Sequence, residues 1–262
     1  MAQAQRSGVL NYCLEGPEGA PVVTLSNSLS TDFSMWDEQA AVLPRRYRLL
    51  RYDTRGHGRS DVTKPPYTME QLADDIAGLL DSLGIKKTHF VGLSLGGMTA
   101  QVLALRRPDL ISSLCLVSTT CWGAEGLPRW TKRIASLRAG EPFDLMLEPM
   151  MDRWLSMKFR RESVARTERI KQMVLRTPPE GYIGCGLAIA GFDVRHRLSE
   201  IDAPTLVVAG EEDPSTTVEH AQAIHAGIKG AELFVIPGAR HLLNVDREAV
   251  FTSRLMDWLA SH

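Results

Sequence analysis

Short apolar runs rich in β-branched residues alternate with amphipathic stretches of ten or more residues along most of this 262-residue chain. The alternation is typical of βαβ units, in which helices connect parallel strands. It predicts an α/β fold with a mostly parallel central sheet and helices on both faces. The predicted strands are residues 8–14, 21–26, 47–52, 87–92, 111–118, 204–209 and 232–236, and the predicted helices are residues 69–83, 97–107, 217–228 and 247–260.

Residues 122–196 interrupt this alternation, because they contain prolines and amphipathic helical stretches but no pattern of a strand. A chain of this length buries roughly three quarters of the surface that it exposes when unfolded, so one domain can form a full core. We predict a single domain with a core of residues 1–120 and 197–262 and an inserted helical lid at about residues 121–196.

The charge balance limits the classes of partner. The chain has 30 Lys and Arg against 31 Asp and Glu, a net charge of −1, whereas a nucleic-acid-binding domain is expected to be strongly basic. No run of about 18 apolar residues could span a bilayer, and the first residues lack the apolar segment of a signal peptide. We expect a cytoplasmic protein that binds neither nucleic acid nor membranes.

The four cysteines do not form a metal-ligand pattern. They lie at positions 13, 115, 121 and 185, without a C-x-x-C pair or a histidine at ligand spacing. We expect reduced thiols and no metal site. Cys115 lies within an apolar run and is predicted to be part of the core.

A candidate nucleophile follows directly on the strand predicted at residues 87–92. Gly92, Ser94 and Gly96 form a G-x-S-x-G pattern, and a helix-compatible segment comes next. The pattern alone is weak evidence. In a strand–turn–helix context, however, the serine takes a strained backbone conformation that flanking glycines make room for. The context favours Ser94 as a nucleophile at a helix N-terminus, where backbone amides stabilise developing negative charge.

A serine nucleophile needs a base within hydrogen-bonding distance and a carboxylate that orients this base. Asp213 lies just after the second-last predicted strand, and His241 lies in the loop after the last one. The order Ser, Asp, His differs from the orders found in serine proteases. Glu211 and Glu212 are alternative carboxylates, although the shorter Asp fits the turn better. His57 is the alternative base, although its Gly-flanked turn is better suited to cap the sheet edge.

A tetrahedral intermediate also needs two N–H donors for its oxyanion. One is predicted to be the amide of Leu95, the residue after the nucleophile. The loop after the strand at residues 21–26 should supply the other, and Leu29 is the candidate. Trp36 closes that loop, and we predict that it lines the substrate pocket, with core packing as the alternative.

Several segments resemble a known family. They include residues 25–29, 35–36, 50–58 and 92–97, and in the lid residues 153–156 and 180–182. Over nearly its whole length the chain resembles the α/β-hydrolases, and among these the 3-oxoadipate enol-lactonases. Most related hydrolases have His-Gly where this chain has Asn27-Ser28, and the Asn-Ser form is a feature of the enol-lactonases. The resemblance implies the α/β-hydrolase fold with an inserted helical lid.

Two positions depart from the enol-lactonase pattern. The family tends to have Gly in place of Ser30, and a basic and an acidic residue in place of Ala190-Gly191. The second departure lies in the lid, close to the expected substrate position, so it leaves the exact lactone open.

The resemblance implies hydrolysis of 3-oxoadipate enol-lactone to 3-oxoadipate in aromatic catabolism. Ser94 would form an acyl-enzyme, with His241 as the base and Asp213 as its partner, and no metal or organic cofactor would be needed. The partner would be a small-molecule lactone or ester, and the protein would act as a monomer or a homo-oligomer. The alternatives are a general carboxylesterase, another lactonase, and a non-catalytic ligand receptor on the same fold.

The lid is the basic part of the chain. Residues 121–195 contain 13 Lys and Arg against 9 Asp and Glu, while the remainder contains 17 and 22. A cationic lid would attract and orient an anionic substrate, unless these charges only solvate helix faces. Arg133 is the candidate for contacting a substrate carboxylate, and Trp130 and Trp154 are candidates for lining the pocket. Other cations of this set are Arg129, Lys132 and Arg138.

Overall fold

An eight-stranded sheet forms the centre of the computed structural model, which describes residues 5–123 and 126–262. The strand order is β1-β2-β4-β3-β5-β6-β7-β8, and all neighbours from β4 to β8 are parallel. The side chain of Arg129, one of the cations predicted for the lid, lies outside the described part. The strands are β1 (Gln5–Ser7), β2 (Leu10–Glu15), β3 (Val22–Ser26), β4 (Arg48–Tyr52), β5 (Thr88–Leu93), β6 (Ile111–Val117), β7 (Thr205–Gly210) and β8 (Glu232–Ile236).

Helices cover both faces of this sheet. In the described chain they are α1 (Asp37–Ala40), α2 (Met69–Ser82), α3 (Leu95–Arg106), α4 (Leu127–Arg138), α5 (Leu147–Trp154), α6 (Met157–Glu162), α7 (Val164–Leu175), α8 (Pro179–Ala190), α9 (Val218–Gly227), α10 (Leu243–Asp246) and α11 (Glu248–Ser261). Helices α4 to α8 lie between β6 and β7, which pair directly in the sheet. The region predicted as a lid is therefore an insertion between two neighbouring strands.

The predicted α/β fold with a mostly parallel sheet is confirmed, and the predicted strands lie within two residues of observed ones at each end. Strand β1 is an additional strand that pairs antiparallel with β2 at the edge of the sheet. All residues of β5 and β7 are buried, as expected for strands covered on both faces.

Two hydrophobic clusters fill the spaces on either side of the sheet. Phe90 of β5 belongs to one cluster, and its neighbour Val91 belongs to the other, because successive side chains of a strand point to opposite faces. The lid packs onto both, with Trp130 of α4 in the first and Met151 of α5 in the second.

The cysteines and the helices bear on two further expectations. All four cysteines are buried and none forms a disulfide, and Cys115 lies in the core as predicted. Burial raises the pKa of the Cys115 thiol to about 12. Among residues 5–123 and 126–262, no helix has both the length and the apolar character needed to cross a membrane.

Candidate active site

Ser94 lies at the carboxyl end of β5, in a sharp turn that leads into α3. Its backbone has φ 55° and ψ −111°, and its N–H donates to the carbonyl of Val117 at 2.9 Å. A Cβ atom on Gly92 would lie 2.3 Å from the carbonyl oxygen of Gly96. The turn therefore requires glycine beside the serine and holds Ser94 in a strained conformation of the kind found at functional sites.

His241 and Asp213 form a buried pair at the same edge of the sheet. Asp213 lies after β7 and His241 after β8, and His241 Nδ1 is 2.7 Å from Asp213 Oδ2. Glu211 and Glu212, the alternative carboxylates, are exposed, and Glu211 accepts a hydrogen bond from the amide of Gly238. The structure thus pairs the imidazole with Asp213.

A third residue, Thr216, supports this pair, and no sequence pattern predicted it. Its hydroxyl donates to Asp213 Oδ2 at 2.7 Å and lies 3.3 Å from His241 Nδ1. Burial raises the pKa of the Asp213 carboxyl, but the nearby His241 charge and hydrogen bonds from His241, Thr216 and the Ser215 amide outweigh it. The net pKa of Asp213 lies below its ordinary value, so the carboxylate is charged and can hold the His241 ring in one orientation.

A cavity of about 320 Å³ brings the predicted residues together. Ser94 and His241 both line it, and the candidate residues Leu29, Trp130, Arg133 and Trp154 line it as well. Leu95, the first residue of α3, is fully buried directly behind Ser94. Other lining residues are Ser28, Met98, Thr120, Trp122, Gly123, Gly126, Met150, Arg153, Tyr182, Ile189, Pro214, Ser215, Thr216, Thr217 and His220.

Two backbone amides next to Ser94 are suited to bind an oxyanion. The Leu95 N–H is the first of α3 and has no acceptor within that helix. In the loop after β3, the Ser28 N–H donates to Met35 Sδ at 3.4 Å, whereas no acceptor for the Leu29 N–H is found in the described part of the chain. Leu29 is therefore the better donor in this loop.

Trp36 was predicted to line the substrate pocket, with core packing as the alternative, and the structure places it in the core. The Trp36 side chain is fully buried, packs 6.3 Å from the ring of Phe251, and is absent from the described lining of the cavity. Its Nε1–H donates to Asn27 Oδ1 at 3.0 Å. Trp36 thus supports the loop from behind, because its indole N–H finds a buried acceptor on the core side.

The lid supplies the wall of the cavity opposite the sheet. Arg133 of α4 donates to the hydroxyl of Tyr182 at 3.0 Å and lies 5.9 Å above the ring of Trp130. The ring of Trp154 stacks at 6.4 Å on that of His241. A guanidinium and three aromatic rings therefore line the cavity that contains Ser94 and His241.

Among the lining residues that were not predicted, Arg153 and His220 carry basic side chains. Arg153 directly precedes Trp154 in a segment already noted for its family resemblance, so proximity to Trp154 was an available signal. His220 accepts a hydrogen bond from the Thr217 amide through Nδ1, which caps α9, and its ring stacks at 4.8 Å on Trp122. Because His220 lies on a helix, the sequence did not indicate that the first turn of α9 faces the cavity.

His57, the alternative base, lies elsewhere in the core. It is buried, with Nδ1 3.2 Å from the carbonyl oxygen of Arg55, and the described lining of the cavity does not include it. Burial lowers the pKa of His57 to about 4. His57 is therefore part of the buried core, outside the described lining of the cavity that contains Ser94.

The arrangement provides the groups for acyl transfer: a hydroxyl, an imidazole paired with a carboxylate, and two amides beside the hydroxyl. In the part of the chain that the structure describes, no cluster of three or more His, Cys, Asp or Glu side chains is suited to hold a metal ion.

The chain is similar to known proteins over nearly its whole length. The 3-oxoadipate enol-lactonase 1 of Acinetobacter baylyi is 35% identical over 253 residues, which are 96% of this chain and 93% of that protein. A putative carbamate hydrolase RutD of Variovorax paradoxus is 30% identical, with 96% of each chain covered. The crystal structure of the enol-lactonase from Burkholderia xenovorans superimposes with a TM-score of 0.91 at 35% identity, covering 96% of both chains.

The family model for the α/β hydrolase fold matches residues 21–248. Together with the sheet order and these relatives, this match shows that the chain belongs to the α/β-hydrolase family.

Proposed function

We propose that this protein is a serine hydrolase that opens a small anionic lactone through an acyl-enzyme, with 3-oxoadipate enol-lactone as its substrate. The observation that carries the proposal is that Ser94 and the Asp213-paired His241 line one cavity. Two relatives at 35% identity that are named enol-lactonases support the choice of substrate.

In the first step Ser94 Oγ attacks the lactone carbonyl carbon. His241 Nε2 takes the hydroxyl proton, because Nδ1 is committed to Asp213. The carbonyl π electrons move onto the oxygen, and the amides of Leu29 and Leu95 stabilise this oxyanion. When the intermediate collapses, the ring C–O bond breaks and His241 returns the proton to the enolate oxygen or its carbon. The leaving group stays tethered to the acyl chain.

Hydrolysis of the acyl-enzyme repeats these roles with water as the nucleophile. His241 takes a proton from water, the hydroxide oxygen bonds to the acyl carbon, and the bond to Ser94 Oγ breaks as Ser94 regains its proton. Asp213 stabilises the imidazolium in both steps. The product carries a new carboxylate, and no metal or organic cofactor takes part in the proposed steps.

The cations of the lid wall support an anionic substrate. Arg133 and Arg153 both line the cavity that contains Ser94. A cavity of about 320 Å³ fits a small molecule. Arg133 is held by Tyr182, so its guanidinium can meet a carboxylate without first losing much conformational freedom.

The test is the Ser94→Ala variant with 3-oxoadipate enol-lactone as substrate. We expect turnover to fall by roughly 10³-fold or more, because the nucleophile is removed. Retention of more than a few per cent of the wild-type rate would overturn the serine mechanism. In the wild type, an activated acetate ester should give a burst of chromophore that the variant lacks, whereas a non-catalytic receptor would show no burst.

The substrate is tested by a panel measured with the wild-type protein. It contains the enol-lactone, a simple neutral lactone, a homoserine lactone, a carbamate and 4-nitrophenyl acetate. We expect the highest kcat/KM for the enol-lactone. A higher value for a neutral ester or for the carbamate would leave the serine mechanism intact and overturn the choice of substrate.

A further inference from the structure

Ser28 carries a buried hydroxyl that the proposed mechanism does not yet use. The residue is only 2% exposed and lines the cavity that contains Ser94 and His241. Within the described part of the protein, its Oγ has no hydrogen-bond partner. Most buried hydroxyls have a partner, and leaving one unpaired destabilises a folded protein. A hydroxyl kept in this position at the active site therefore calls for a partner that arrives with the substrate.

The groups around Ser28 form hydrogen bonds with its backbone and not with its hydroxyl. The Ser28 N–H donates to Met35 Sδ, and the Ser28 carbonyl accepts from the hydroxyl of Thr31 at 2.8 Å. The side-chain amide of the preceding residue, Asn27, makes two hydrogen bonds. Its Oδ1 accepts from Trp36 Nε1–H, and its Nδ2 donates to the carbonyl of Tyr52. The loop is thus fixed by its backbone and by Asn27.

The same loop is tied to the nucleophile. The Asn27 carbonyl accepts from the Gly96 amide at 3.0 Å, in the first turn of the helix that follows Ser94. Ser28 comes next in the chain and is followed by Leu29, whose amide is the proposed oxyanion donor. The hydroxyl of Ser28 is therefore held one residue away from that donor, on a loop whose position relative to Ser94 is fixed.

We propose that the Ser28 hydroxyl is a third oxyanion donor and so a catalytic residue. The inference rests on the proposed function. As Ser94 Oγ bonds to the carbonyl carbon, the π electrons move to the carbonyl oxygen, and the Ser28 O–H donates to this oxygen beside the Leu29 and Leu95 amides. Ser28 keeps its proton throughout. A donor already in place in a water-excluded site stabilises the charge that develops without reorganising.

The test compares Ser28→Ala with Ser30→Ala. Ser30 is a matched control, because it lies two residues away in the same loop, is fully buried and also has an Oγ without a partner in the described structure, but is not among the described lining residues. We expect Ser28→Ala to lower kcat by about 10- to 100-fold. This is at or below the roughly 10²- to 10³-fold loss typical when one oxyanion donor is removed, because the Leu29 and Leu95 amides remain. Ser30→Ala should stay within about twofold of the wild type.

Two readouts separate this role from a structural one. The melting temperature of Ser28→Ala should be unchanged or higher, since an unpaired buried hydroxyl is removed. The rate of acylation should fall by a similar factor for the lactone and for 4-nitrophenyl acetate, because an oxyanion forms with every acyl donor.

Equal kcat values for Ser28→Ala and Ser30→Ala would overturn the inference. A loss confined to the lactone would overturn it too, because it would place the hydroxyl against another part of that substrate. The Ser94→Ala result is independent: if that variant kept its turnover, the serine mechanism would fail whatever Ser28 does.

Discussion

The carboxylate of Asp213 accepts four hydrogen bonds in the described structure. Oδ1 accepts from the amides of Ser215 and Thr216 at 2.8 and 3.2 Å, and Oδ2 accepts from the Thr216 hydroxyl and His241 at 2.7 Å each. All donors except the imidazole come from the three residues after Asp213. The turn after β7 therefore builds its own support for the acid, which fixes the His241 tautomer with the proton on Nδ1.

This geometry predicts that Asp213→Asn lowers kcat by roughly 10³- to 10⁴-fold, because the amide cannot stabilise the imidazolium and can favour the wrong tautomer. Glu212→Gln is the matched control, since Glu212 is an exposed carboxylate in the same turn. It should stay close to the wild type. Steady-state turnover of 4-nitrophenyl acetate measures both, and equal effects of the two substitutions would contradict the assignment of Asp213.

The sequence led to Ser94, Asp213 and His241 because each lies at a fixed distance after a predictable strand, and parallel strands end at one edge of the sheet. Thr216 has no such signal, since only the folded turn brings its hydroxyl back to the carboxylate. The choice between pocket lining and core packing for Trp36 stayed open for a related reason. A loop pattern does not tell which side of the loop an aromatic ring faces, and here the acceptor for its N–H lies on the core side.

The lid meets the core through a close approach of two backbones. A Cβ atom on Gly181, in the first turn of α8, would lie 1.9 Å from the carbonyl oxygen of Gly56. Tyr182 follows, is fully buried, and holds Arg133 of the neighbouring helix α4 through its hydroxyl. The approach of α8 to the core thus determines where the cationic wall of the cavity lies.

At this element, Arg133→Ala is predicted to raise KM for the anionic enol-lactone by about 10-fold or more, the size of a lost charge-assisted hydrogen bond. KM for a neutral ester should change less than about twofold. Lys132→Ala provides the control, because Lys132 is an exposed cation on the same helix and is not among the described lining residues. Measuring KM for both substrates at two salt concentrations checks this prediction, and equal shifts for the two substrates would refute it.

Sequence patterns predicted the sheet and its flanking helices better than the other elements. A buried parallel strand is a continuous apolar run, as in β7, which is fully buried and was predicted to within one residue. Strand β1 is short, polar and at the edge, so it has no such run. The lid helices have mixed faces that contact the core, the cavity and solvent, and their periodicity therefore did not fix their bounds.

At the scale of the whole molecule, the sheet separates two hydrophobic clusters, and many polar side chains are buried beside them. His57 is one of these. It is 1% exposed, its Nδ1 lies near the Arg55 carbonyl, and its Nε2 has no partner in the described structure. Such a ring is tolerated while neutral, but protonation would place a poorly solvated charge in the core.

This burial links folding to pH. The pKa of His57 is lowered from 6.5 to about 4 in the folded protein, so between these two values the unfolded chain binds a proton that the folded chain does not. The free energy of unfolding should therefore be fully maintained above pH 6.5 and fall by roughly 3 kcal/mol as the pH falls to 4. Asp213, whose pKa lies below its ordinary value, adds a further loss in the acid range below pH 4.

Replacing His57 with Asn separates the contribution of this histidine from that of the carboxylates. An asparagine amide can donate to the Arg55 carbonyl as Nδ1–H does, but it does not titrate. In denaturant unfolding at pH values from 7.5 to 4.5, His57→Asn should lose much less stability than the wild type as the pH falls, even if it is less stable at pH 7.5. His225→Asn, on the exposed side of α9, should keep the wild-type slope. Parallel slopes for the wild type and His57→Asn would mean that the acid sensitivity of the fold arises at other groups.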